Sequence, residues 1–293
     1  MNKVPVGKTI AYAYNFTLGN LGAIIGLSWA PLVIIAVLQF LPYAGGQNPM
    51  APPDNPAQAG QQALLGIASS LAILLLYSII YVAVIRQALG LRQGGAVFHF
   101  ALGAPELRVF GAFLLFVLVL FGMAIVFGVA AALLVVLSRA SSSPALVASV
   151  LVIAILACIC AFLYVVVRLA YFITPVTVVE EHISLTRGWM LTGGNFWRLV
   201  AVMLAVTLPL FVIYAVGLWA IMGPGLFAPL PDNPDQIKQA MDMRFAALGQ
   251  HMPLFIGLSL LIAPFNVGLN LGATAFAYRA LVPPRGGAPA IAG

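Results

Sequence analysis

The sequence predicts an all-α polytopic membrane protein: six transmembrane helices, arranged as three tandem hairpins with short amphipathic elbow helices at the interface. Three observations carry this. Of 293 residues, 63% are hydrophobic and only 7% are charged, where a soluble domain has about 25% charged residues. The apolar residues fall in long runs without charge, each long enough to cross a bilayer core of about 30 Å at about 1.5 Å per residue. The basic residues gather at alternate joints between those runs.

Taken in order, the runs are 21–44, 63–86, 109–137, 145–173, 196–222 and 254–279. The first follows a stretch of mixed polarity with no short apolar core and early small-residue cleavage site, so the first helix is expected to stay in the mature protein. The loop after it is rich in Pro and Gly and reads as extended until "DNP", a helix start with Asn as cap and Pro at the first helical position. "DNP" returns after the fifth run. There it opens "DQIKQAMDMRFAALGQ", with Ile237, Met241, Phe245 and Leu248 at helical spacing, which predicts a short amphipathic helix on the outer face. Within the fourth run, Cys158 and Cys160 point about 200° apart on a helix. They read as small hydrophobes; a metal site would need more ligands than the stretch offers.

Orientation follows from charge. With both termini inside, ten of the 13 basic residues face one side, and only Arg139, Lys238 and Arg244 face the other. That bias predicts a bacterial inner membrane protein with cytoplasmic N- and C-termini. The net charge of +6 is then a topology signal, and no nucleic-acid partner is expected, because no basic stripe interleaved with aromatics stands outside the runs.

The joint before the fifth run reads "RGWMLTGGNFWRL". It has echoes: "FTLGN" (16–20) before the first run and "FALGA" (100–104) before the third. These offsets suggest parallel repeats over 1–92, 93–175 and 176–293 of a single membrane domain. Pro175 should end or kink the fourth helix. A helix over 178–192 would collect Glu180, Glu181, Ser184 and Arg187 on one arc and Val178, Ile183, Leu185 and Trp189 on the other. That is an amphipathic elbow lying on the inner surface. Gly193 and Gly194 would stop it and Asn195 would cap the next helix. Arg187, Trp189, Trp197 and Arg198 would meet lipid headgroups, which makes membrane lipids, anionic phospholipid among them, the expected partners, together with an unidentified membrane protein.

At "VVEEHISLTRGWMLTGGNFWRL" the sequence resembles the membrane-domain family of glycerophosphoryl diester phosphodiesterases. The match rests on Glu180 or Glu181, Arg187, Trp189, Leu191, Thr192, Gly194, Asn195, Trp197 and Arg198; Gly188 stands where that family has Ser. The resemblance covers about 20 residues closely and implies a multi-span membrane module. The separate soluble phosphodiesterase domain that some relatives carry is not expected within these 293 residues.

Phosphodiester hydrolysis needs carboxylates and His around a cation. The chain has seven acids and three His. Glu180, Glu181 and His182 would fan across a helix, and His99 and His251 fall on opposite sides. No catalytic residue, metal site or cofactor is expected. The strongest intramembrane polar group is Asn266, Asn270 and Thr274, at i, i+4 and i+8 of the sixth run, beside Gly268 and Gly272. Two readings stand: interhelical packing and hydrogen bonding, or a lining for a lipid headgroup or small-solute path. The expected function is a non-enzymatic scaffold or accessory in membrane or lipid homeostasis; the alternative is a permease-like component for a lipid or small polar molecule.

Overall fold

The computed structural model describes residues 3–44, 55–92, 100–139, 144–223 and 233–282. Every regular element among them is a helix. Six helical stretches are long and apolar enough to span a membrane. The first span is α2 (Leu21–Ala44), preceded by the short α1 (Val6–Gly19). The second is α3 (Pro56–Ala88), which begins seven residues before the expected run. "DNP" explains that start: Asn55 accepts from the Gln58 N–H at 2.8 Å, and Pro56 takes the first helical position. Then come α4 (Ala104–Arg139), α5 (Pro144–Ala170), α6 (Ile173–Val179), α7 (Leu185–Thr192), α8 (Phe196–Met222), α9 (Pro234–Gln250) and α10 (Met252–Leu281). The loop at 45–54, the segment 93–99 with His99, and the C-terminal residues with Arg285 lie outside the described residues.

Two joints differ from expectation. The helix of span four breaks at Tyr171 and Phe172, upstream of Pro175. Proline lacks an N–H, and its ring clashes with the carbonyl four residues earlier, which here belongs to Tyr171. Pro175 then sits in the first turn of α6, where its missing donor costs nothing. The expected helix over 178–192 is likewise two helices. Glu181, between them, has φ 57°, a left-handed backbone, and Ser184 starts α7 by accepting from the Arg187 N–H at 3.2 Å. Nor is α6 a surface element: Ile173 to Val178 are all buried. Only α7 is half exposed. At 100–103, before α4, the chain is not helical, so the described part of the second hairpin has no counterpart to α1 or α7.

The core is tight at one end. Ile24, Leu27, Ile79, Ile80, Val84 and Ile85 are fully buried in one cluster. Close approach by α1 and α10 depends on glycine: a Cβ on Gly268 would meet Thr17 at 2.8 Å, and one on Gly272 would meet Phe16 at 2.9 Å. The small-residue pair therefore allows the close approach that the sequence suggests, and its partner is α1. Burial differs between the spans. Of the most apolar stretch of span four, only 6% is buried, against 39% for the first span. Pro264 sits inside α10, which continues through it.

Candidate functional site

Six crossings place the N-terminus of α1, the C-termini of α3, α5 and α10, and the N-termini of α4 and α8 at one end. The expected basic side is this end, and its side chains are joined to one another. Glu180 is the hub. Its Oε1 accepts from Arg187 Nε at 3.0 Å and from the Tyr278 hydroxyl at 3.1 Å. His182 Nε2 stands 3.9 Å from its other oxygen. Glu181 turns away to Arg108 at 3.6 Å. Arg279, after Tyr278, donates to the Leu89 carbonyl at the end of α3. Nearby, the Tyr12 hydroxyl of α1 donates to the Ala88 carbonyl at 2.8 Å, and burial pushes its pKa above the usual tyrosine value.

The elbow residues are mostly structural. Arg187 pairs with Glu180. Trp189 lies under Arg168, whose guanidinium carbon is 4.2 Å from the ring centre, while Arg168 Nη2 donates to the Trp189 carbonyl at 2.8 Å. This ties α7 to the end of α5. Gly194, at φ 70°, provides the left-handed turn between α7 and α8. Asn195 holds the cap position of α8, but its side chain makes no capping bond. Its Oδ1 accepts instead from the Val4 N–H at 3.0 Å, and Arg198 Nη1 donates to the Val4 carbonyl at 3.0 Å. Both backbone groups of one fully buried residue are thus held from α8. The competition is physical: the Val4 N–H is buried and needs an acceptor, whereas a helix N-terminus at the surface can be served by water. Of the five elbow residues, Trp197 alone stands largely free, 77% exposed.

The second candidate lies on α10. Asn270 Nδ2 donates to the Asn266 carbonyl at 2.9 Å and to its Oδ1 at 2.6 Å, and the Thr274 hydroxyl donates to the Asn270 carbonyl at 2.7 Å. These bonds run along one helix, and across helices Thr274 meets the Tyr171 hydroxyl. Asn266 is exposed, Asn270 half-buried and Thr274 buried. One further step of four reaches Tyr278, and through it Glu180. That continuation was visible in the sequence spacing. Tyr171 was not signalled: its hydroxyl is buried, with Thr274 as its polar neighbour.

Chemically, the basic end is a clamp in which Glu180, Arg187, Arg198 and Arg279 each bond another part of the protein. Among the described residues no three of His, Cys, Asp and Glu gather into a group that could hold a metal ion. Comparison with known proteins adds no name: no family model matches the chain, and neither a curated protein nor a solved structure matches it. The class defined by the structure is an all-α membrane protein with six spans.

Proposed function

We propose that this chain is a non-enzymatic protein of the bacterial inner membrane that serves as a scaffold or accessory in membrane or lipid homeostasis. One observation carries the reading. The chemically strongest side chains of the basic end, Glu180, Arg168, Arg187, Arg198 and Arg279, are committed to holding helices together. Each is bonded to another part of the protein, which is the use of a strong side chain as a brace. The exposed surfaces of α4, α5 and α8 are apolar, as lipid contact requires. The resemblance of the elbow to the phosphodiesterase membrane domains is in keeping with a membrane module. Anionic lipid, on this reading, meets exposed Lys3 and Lys8 and the Trp197 ring, each basic residue contributing about 1 kcal/mol near an anionic surface.

Extraction from native membranes in lipid discs tests this. Co-purifying lipids or a membrane-protein partner, with an altered lipid composition on deletion, is the expected result. Turnover of a phosphodiester lipid by the purified protein would overturn it. A second reading, a permease-like component for a lipid or small polar molecule, is favoured by the polar ladder on α10. Flux across proteoliposomes that stops with Asn270→Leu would select it.

A further inference from the structure

The faces of α10 can be assigned one by one. Gly268 and Gly272 face α1. Val267, Leu271 and Ala275 join the cluster that holds α3. Leu269 and Ala273 pack with Val202 and Val206 of α8. The remaining quadrant carries Asn266, Asn270, Thr274 and Tyr278. At the basic end it is covered, because Ala277 and Tyr278 pack with Phe172 and Val176. Toward mid-span the cover ends, and Asn266 is exposed about 20 Å along the helix from Arg279. Asn266 Nδ2 and Asn270 Oδ1 have no partner among the described residues, and the buried Tyr171 hydroxyl has Thr274 alone as its polar neighbour. A free donor, a free acceptor and a buried hydroxyl thus stand on one face, at a depth where water is scarce and an unmet amide is costly.

The ledge carries no charge. From Met252 to Tyr278, α10 has no Asp, Glu, Lys, Arg or His, and Arg198 is the only charged residue of α8. An ionic head would lie there without a counter-charge, at several kcal/mol. We propose that the quadrant seats the uncharged, hydroxyl-bearing head of a membrane lipid, a free glycerol hydroxyl as in diacylglycerol, with its chains along the apolar sides of α3 and α8. Asn266 donates to the head and Asn270 accepts from its hydroxyl. The assignment rests on the lipid-handling reading above and names the lipid class for it.

A diacylglycerol carrying a diazirine, added to the full chain in phosphatidylcholine nanodiscs, tests it. Labelling is expected on peptides containing Tyr171 or residues 266–274. Unlabelled diacylglycerol should compete, whereas phosphatidylglycerol with the same chains and free glycerol should not. Asn266→Leu with Asn270→Leu should lower labelling about tenfold, the worth of one to two hydrogen bonds; Asn266→Gln with Asn270→Gln should retain most of it, which separates lost binding from lost folding. Equal competition by phosphatidylglycerol would overturn the neutral head, and competition by glycerol would overturn the lipid source. Labelling indifferent to both double variants would overturn the site. Disulfide formation between two copies carrying Asn266→Cys would also overturn it, since a second protomer would then cover the ledge. If the label misses α10 while native lipid still co-purifies, only this inference fails; if no native lipid is retained either, the lipid-handling reading fails with it.

Discussion

Asn195 and Arg198 hold the same residue by its two backbone groups, so their loss should be felt together. Asn195→Ala leaves the Val4 N–H buried without an acceptor, at about 1–3 kcal/mol. Arg198→Ala removes a charge-assisted bond of comparable worth. The double variant should lower Tm in detergent by less than the sum, because a freed Val4 can be freed only once. Faster tryptic cleavage at Lys3 and Lys8 is the expected companion; unchanged cleavage would mean that the segment is held elsewhere. Glu181 offers the opposite sign. Its left-handed backbone costs a side-chain-bearing residue about 1–2 kcal/mol, and its exposed pair with Arg108 returns about 0–1 kcal/mol. Glu181→Gly should therefore raise Tm slightly, and a clear fall would show that the ion pair outweighs the strain. These roles were hard to read in advance. Asn before an apolar run is ordinarily a cap, and only the buried N–H of a residue 191 positions away redirects it. The left-handed Glu181 has no local signal at all.

Among the elements, α1 and α10 depend most on small residues. Leucine at Gly272 would drive a side chain into Phe16 and Ala13, and overpacking of this kind costs about 1–3 kcal/mol. Gly272→Leu should lower Tm and expose α1 to protease, whereas Gly122→Leu on α4, where a Cβ meets nothing within 4 Å, should do neither. Comparing the two variants by thermal unfolding checks the assignment. Spans and helix starts were legible because their causes are local: apolar length for six helices, "DNP" for α3 and α9, and a diglycine for the end of α7. The break ahead of Pro175 was legible as to cause and misplaced by the reach of one helical turn. The split at 180–184 was not legible, because the continuous polar and apolar arcs over 178–192 suit one helix as well as two. What decides is the burial of Ile173 to Val178, which comes from neighbours distant in sequence.

For the whole molecule, the charge bias and the contacts agree that one end gathers the basic joints; the bias further predicts that this end is cytoplasmic. In a background with Cys158 and Cys160 replaced by Ala, Ala57→Cys should react with an impermeant maleimide in intact cells, and Lys8→Cys only after permeabilisation. The reverse pattern would invert the protein. Composition made the class plain, because solvent preference is a sum over all residues. It did not disclose the open quadrant of α10, which exists only because three other faces of that helix are occupied. The clamp on Val4 and the seat of α1 against α10 also set an order of events. Helix α1 finds its principal surface on α10, which is synthesised long after it. It must wait through the insertion of five spans for that neighbour, and the bundle can close only when α10 arrives. Hairpins can enter the bilayer one at a time, yet none is complete alone, and a chain halted before α10 would present an uncovered α1 to any quality-control protease that patrols the membrane surface.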